Sequence, residues 1–337
     1  MKTYALAAAA VATLLTMIGC GGAAKSGGSE GGDSNLSGMV TADGSSTVAP
    51  ISEAHAEEFQ KANPGVRVTV GTSGTGGGFK KFLNKETDIS NASRQIKDSE
   101  LEMAATNNVE YVELPIAYDG LTVVVHPDNT WVDHLTIEEL NKIFAPNSTL
   151  TMWSQVRAGW PAEKISIYSP GADSGTFDYF TEVVNDDAGA SRQDGISFSE
   201  DDNVLVTGVS GEKNAIGYFG FAYFEENADK LKAVPIVNPD TGSPVMPSFD
   251  AIQDGSYAPL SRPLFIYVRS DVMDRPEVTA FVKYSLSAEG AELVREVGYV
   301  ALPEDVLGMS WQRYETKKLG TMYAGGAKGS LKDLMSK

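Results

Sequence analysis

Three short stretches of this chain carry the residue types that hold an oxyanion: Gly44-Ser45-Ser46-Thr47, Ser73-Gly74-Thr75-Gly76-Gly77-Gly78 and Asp173-Ser174-Gly175-Thr176. Each stands directly before a segment that reads as a helix start. The first four N–H groups of a helix lack internal partners, and the helix dipole makes that end positive. Ser and Thr hydroxyls add donors, and Gly lets an anion come close to the backbone. One such segment is ordinary and reads equally well as an N-cap and a turn. Three of them, far apart in sequence, point to a tetrahedral anion held from several sides.

The elements that must position these loops alternate between strand and helix, which favours α/β layering. Val48, Ile51, His55, Phe59 and Ala62 recur on one helix face, and Pro64-Gly65 ends that helix. Val66, Val68 and Val70 alternate with polar residues as a half-buried strand. Residues 121–125 form a continuous apolar run suited to a buried strand. Thr136 caps a helix predicted to reach Phe144, with Glu138 and Glu139 in its first turns. A strand over 165–168 leads into the third Gly/Ser/Thr segment and a helix over 177–184. A further strand is expected over 264–268, then a helix over 276–297 broken near 287–290. Gly78 is followed by Phe79-Lys80-Lys81-Phe82, read as the start of a helix. In open α/β sheets ligands sit outside the carboxyl ends of the strands, which is where these loop-to-helix junctions fall.

The front of the chain belongs to targeting. Lys2 precedes an apolar stretch from Tyr4 to Ile18, too short to span a bilayer comfortably. It ends Met17-Ile18-Gly19-Cys20, similar to a bacterial lipobox, in which the signal is cut before Cys and the thiol is lipidated. Residues 1–19 are therefore expected to be a lipoprotein signal peptide. Residues 20–38, rich in Gly and Ser, are read as a flexible tether. Cys20 is the sole cysteine, so an intramolecular disulfide and a cysteine-rich metal site are excluded.

The formal net charge is −18. That balance, without a basic stripe, argues against a nucleic-acid partner. It repels anions at long range, so an anion site must work through local donors. His55, His126 and His134 are too scattered for a metal site or a catalytic triad, and no Gly-x-Ser-x-Gly elbow is present. Trp131, Trp153, Trp160 and Trp311 are expected to pack.

The run Asp43-Gly44-Ser45-Ser46-Thr47-Val48-Ala49-Pro50, the Gly-rich segment through Phe79, and Thr87-Asp88-Ile89-Ser90-Asn91-Ala92-Ser93-Arg94 resemble the phosphate-binding protein of bacterial ABC phosphate uptake, the PstS family. So do residues 114–125, 135–153, 170–180 and 214–227, and the likeness covers nearly all of 39–310. The resemblance implies a class II periplasmic-binding fold: two α/β lobes joined by a two-segment hinge, with the ligand cleft between them. It implies lobe one at 39–117 plus 256–337 and lobe two at 118–255, with crossings at 115–120 and 259–263. It further implies an extracytoplasmic, lipid-anchored, monomeric phosphate carrier that delivers to membrane permease subunits, with no catalysis and no cofactor.

Motif by motif, the resemblance implies phosphate donors at Ser46 and Thr47, at Thr75 and Gly76, and at Ser174, Gly175 and Thr176. Two departures stand out. Where well-known members carry an acidic residue, this chain has Arg94. Where they carry an Arg ahead of Ser-Gly-Thr, it has Pro170 or Gly171. The pocket's guanidinium is therefore expected at Arg94, whose bidentate geometry suits phosphate. A carboxylate acceptor would reject sulfate, which has no proton to donate. Asp173 and Asp43 are the nearest candidates by position. Beside this reading stand a carrier for another oxyanion (sulfate, molybdate or arsenate), a secreted phosphatase, and a surface sensor or adhesin.

Overall fold

Strand and helix boundaries follow from where apolar side chains can be buried. The computed structural model describes residues 36–327 and 329–336. The expected signal peptide, Cys20 and most of the expected tether lie outside them. The first strand, β1 (Gly38–Gly44), begins one residue ahead of Met39, and Leu36 before it packs on the core. Helix α1 (Ala49–Ala62) buries Ile51, His55 and Phe59 on one face, with Pro50 in the first turn, where its missing N–H goes unnoticed. Then come β2 (Val66–Gly71), α2 (Gly74–Leu83), β3 (Ile89–Ala92) and α3 (Asp98–Thr106).

The next strand, β4 (Tyr111–Val125), is buried along its whole length, as a strand covered on both faces must be. Helix α4 (Ile137–Phe144) opens on a capping box: Glu139 N donates to Thr136 Oγ1 at 3.2 Å and Thr136 N to Glu139 Oε2 at 3.1 Å. It is followed by α5 (Trp153–Val156), β5 (Ser166–Pro170), α6 (Gly175–Asn185), β6 (Ile196–Ser199), α7 (Asp202–Gly211), β7 (Ala215–Gly220) and α8 (Phe221–Glu226). Three two-residue strands, β8 (Lys232–Ala233), β9 (Ile236–Val237) and β10 (Pro244–Val245), lead to α9 (Phe249–Gln253). The chain returns through β11 (Ser261–Arg269), α10 (Pro276–Ser285), α11 (Ala288–Glu296), β12 (Val300–Ala301), α12 (Glu304–Glu315) and α13 (Leu331–Met335). The broken helix expected over 276–297 is thus two helices, the second capped by Ser287, whose Oγ accepts from Gly290 N at 3.1 Å.

A ten-stranded mixed sheet runs in the order β2-β1-β3-β11-β4-β7-β5-β6, with β8 and β12 added beside β4. The strand β1 is parallel to β2 and β3, and β11 lies antiparallel between β3 and β4. The pairing of β11 runs from Ser261 opposite Gly120 to Arg269 opposite Tyr111, with an irregularity at Leu264/Phe265. Beyond Gly120, β4 changes partner: Leu121 faces Gly220 and Val125 faces Ile216 on β7. One long strand therefore serves both halves of the sheet, and residues 264–268 pair with 112–117 rather than with 121–125.

One core contact makes stability depend on pH. His55 is 1% exposed, and its Nε2 donates to Gly290 O at 2.9 Å across the α1–α11 contact. Burial pushes its pKa from 6.5 down to about 4, against the smaller upward pull of the Gly290 carbonyl. The unfolded chain therefore takes up a proton before the fold does. This contribution is present above pH 6.5 and is lost as pH falls toward 4. Across that window it amounts to about 3 kcal/mol. Urea unfolding at pH 7 and pH 4.5 checks this: His55→Gln is expected to lose clearly less stability between the two than the parent does.

Candidate functional site

At its carboxyl end β1 turns through Ser45, Ser46 and Thr47 into α1. Ser45 N donates to Asn91 O at 3.0 Å, and Ser45 O accepts from Ala49 N at 3.0 Å, so β3 and α1 fix the turn from both sides. Thr47 is buried and Ser46 half-buried. The Gly-rich segment lies beside this turn, but as the first turns of α2, which starts at Gly74 and not after Gly78. A Cβ on Gly78 would fall 2.4 Å from Gly44 Cα and 2.8 Å from Asp43 O. The close approach is available only to glycine, and it outweighs the poor helix propensity of this stretch. Thr75 Oγ1 lies 3.0 Å from Ser93 Oγ and accepts from Ser93 N at 3.3 Å, tying α2 to the exit of β3.

From the other half of the sheet, α6 brings its N-terminus to the same place. Ser174 is the N-cap and Gly175 the first helical residue. A Cβ on Gly175 would lie 2.8 Å from Thr47 Cα and 3.0 Å from Thr47 Oγ1, so the two loops meet backbone to backbone. Between them is a cavity of about 200 Å³ whose lining includes Ser46, Thr47, Thr75, Arg94, Asp178 and Arg262. It is smaller than the roughly 300–1,000 Å³ usual for drug-sized ligands, a size that suits a small ion.

The structure brings Ser46, Thr47, Thr75 and Arg94 to one cavity. Gly76 is exposed, with a Cβ position 3.8 Å from Arg94 Nη2. Ser174 and Thr176 are half-buried at the start of α6, and neither is in the cavity lining. Neither carboxylate candidate, Asp43 or Asp173, is in the cavity lining. Asp43 accepts from Ser73 N at 3.3 Å and from the Ser73 hydroxyl, and pairs with Lys81 Nζ at 2.6 Å. Burial would raise its pKa, but Lys81 and Ser73 together hold it below the ordinary carboxylate value. Asp173 is exposed, its backbone N–H donating to Glu200 Oε1 at 3.3 Å.

Arg94 holds Glu100 in a bidentate pair at 2.9 and 2.8 Å, and its Nη1 also donates to Gln95 O at 3.0 Å. It is a wall cation already half-neutralised. A second cation, absent from the sequence reading, is Arg262 on β11. Its Nε and Nη2 both lie 3.3 Å from Asp119 Oδ2, on the residue opposite it in the β11–β4 register. Its Nη2 donates to Thr47 Oγ1 at 3.2 Å, and its guanidinium lies 3.5 Å over the Tyr179 ring of α6. Arg262 thus touches both halves of the fold at once. Asp119 is 3% exposed; burial pushes its pKa up, and Arg262 pulls it part of the way back. Asp178 is another charged residue of the cavity lining that the sequence reading does not single out. It lies four residues after Ser174, on the same helix face, and that spacing is the signal that could have found it.

Among the described residues no cluster of His, Cys, Asp or Glu could hold a metal ion, and no helix is long and apolar enough to cross a membrane. A family model for a PBP superfamily domain matches residues 23–289. Protein SphX of Synechococcus elongatus is 49% identical over 88% of this chain and 88% of its own length. The phosphate-binding protein PstS of Staphylococcus saprophyticus is 42% identical over 90% of each. The chain belongs to the PstS family. A possible phosphate-binding protein from Planctomyces limnophilus has a crystal structure that matches with a TM-score of 0.81 at 49% identity, covering 83% of this chain and 99% of that one. An ABC-type phosphate transport receptor from Vibrio cholerae matches at 0.60 and 26%, covering 78% and 100%. The mixed sheet is thus that of a two-lobed class II binding protein, and in this PstS-family chain the cavity lies where the lobes meet.

Proposed function

We propose that the protein captures inorganic phosphate outside the cytoplasm and delivers it to the permease subunits of an ABC transporter. The observation that carries this is the cavity at the lobe junction, with hydroxyls on Ser46, Thr47 and Thr75 and the guanidinium groups of Arg94 and Arg262 at its wall. Such a set recognises a small tetrahedral oxyanion by charge-assisted hydrogen bonds. The relatives' names, a phosphate-binding protein and a phosphate transport receptor, single out phosphate among such anions.

In this reading Ser46, Thr47, Thr75, Gly76 and Arg94 bind from lobe one (39–117 and 256–337). Ser174, Gly175 and Thr176 bind from lobe two (118–255), with hinges at β4 and ahead of β11. Neither lobe surrounds the anion alone, so the ligand favours the closed form by contacts the open form lacks. The chain acts as a carrier and not an enzyme, as a monomer, held to the membrane by lipid on Cys20. A single acyl chain binds membranes only reversibly, so a stable anchor implies more than one.

Calorimetry with phosphate and sulfate on the parent, Arg94→Ala and Ser174→Ala tests it. Loss of one hydroxyl to the charged oxyanion is expected to remove about 1.5–3 kcal/mol, roughly ten- to hundredfold in affinity. Arg94→Ala is expected to lose more, because a charged donor group goes from the wall and Glu100 is left without its pair. Absence of phosphate binding by the parent, or turnover of a chromogenic phosphate ester, would overturn the reading.

A further inference from the structure

The anion cavity adjoins a second, larger one. Arg94, Tyr179 and Arg262 line both, and the second has a volume of about 510 Å³. Its chemistry differs. Ile96, Val183, Pro263 and Phe265 form much of its wall and present carbon rather than donors. Phe265 is fully buried and Ile96 is 8% exposed, so this wall is part of the core. It is also fixed: Ile96 N donates to Tyr267 Oη at 3.1 Å, and Tyr179 Oη donates to Pro259 O at 2.8 Å. The hydroxyls of Ser46, Thr47 and Thr75 line the first cavity and not the second. A further phosphoryl group in the second would have to share Arg94 and Arg262 with the first, would face Glu182, and would gain only Lys97, which is exposed. An apolar group would meet a preformed surface. Small organic ligands occupy concave, mostly apolar sites with a few fixed polar groups, and this volume falls in their usual range.

We propose that the protein also takes monosubstituted phosphoryl anions, namely organophosphonates and phosphate monoesters that carry a small apolar substituent. The phosphoryl group sits in the anion cavity with Ser46, Thr47 and Thr75, and the substituent lies in the adjoining cavity against Ile96, Val183 and Pro263. This rests on the oxyanion reading of the first cavity and adds a ligand class to it. A phosphonate keeps three tetrahedral oxygens and its negative charge, so it keeps most of the charge-assisted hydrogen bonds. It exchanges the fourth oxygen for carbon, which leaves a donor unpaired and lowers affinity. Apolar surface removed from water in the second cavity offsets that loss. Affinity should therefore rise with the apolar size of the substituent until the cavity is filled. The alternative is that the second cavity is only the watery approach to the first. In that role a larger substituent would gain nothing.

The experiment is calorimetry on the parent and on Val183→Trp with phosphate, methylphosphonate, phenylphosphonate and pyrophosphate. The C–P bond keeps the phosphonates intact throughout. Val183 is half-buried on α6 and lines the second cavity but not the first, so the larger side chain fills the one and spares the other. The parent is expected to bind phenylphosphonate about tenfold or more tighter than methylphosphonate, in competition with phosphate. Val183→Trp should weaken phenylphosphonate about tenfold or more and leave phosphate within about twofold. Equal weakening of both ligands in Val183→Trp would make the effect merely structural and overturn the inference. So would a parent that binds phosphate but holds phenylphosphonate no better than methylphosphonate, an outcome readable even if Val183→Trp does not fold. Binding of phenylphosphonate without displacement by phosphate, or weaker than that of pyrophosphate, would also overturn it. A parent that binds no phosphate overturns the carrier reading itself.

Discussion

Replacing Arg262 by Ala is expected to destabilise the protein by about 3–5 kcal/mol, the usual consequence of leaving one buried charge without its partner. Asp119, across the β-ladder and 3% exposed, would then have no ion-pair partner among the described residues. Its pKa, already raised by burial, would rise further. A carboxylate with a raised pKa is destabilising in its charged form, so the deficit should appear as pH climbs through the folded-state value and shrink in acid. Urea unfolding at pH 7 and pH 5 measures both effects, and Asp119→Asn in the same chain should restore most of the loss. Phosphate affinity should fall by a hundredfold or more, because the cavity loses a full charge that now touches Thr47. Equal stability of Arg262→Ala and the parent would show that the pair is not a buried unit in solution.

The second large effect is expected from Gly175→Val. The new Cβ would sit 2.8 Å from Thr47 Cα and 3.2 Å from Thr47 N, and backbone atoms cannot swing aside as a side chain can. Relief requires α6 to back away from the 44–47 turn, which opens the junction between the lobes. Over-packing of this kind amounts to about 1–3 kcal/mol, set here against closure, so affinity should fall ten- to hundredfold while unfolding changes little. Gly175→Ala should show a smaller loss in the same direction. The two variants, titrated with phosphate beside the parent, form a graded series. Full affinity in both would mean that the tight approach is not needed for binding.

Much of the architecture was written locally. The alternation at Val66, Val68 and Val70, the apolar run within β4, and Thr136 with Glu139 each describe a few neighbouring residues, and each became the expected strand, buried strand and capped helix. The three Gly/Ser/Thr segments were equally visible, because residue type and helix-start position suffice to mark them. The boundary of α2 was not, since four glycines argue against a helix until Gly44 is seen pressed against Gly78.

Within the site the division is sharper. Arg94 was legible as a cation, but its hold on Glu100 depends on how α3 folds back six residues later. Asp43 stands near Ser46 in sequence, but the arrival of α2 gives its carboxylate to Lys81. Arg262 meets Asp119 across 143 residues and Thr47 across 215, through a strand register that no local pattern announces. The sequence by itself determined which segments could donate to an anion, since backbone geometry and residue type act over a few residues. Tertiary structure alone decided which charges face the cavity and which face each other. That choice depends on strand pairing and helix packing between distant parts of the chain, where a shift of a few ångströms converts a ligand into a partner.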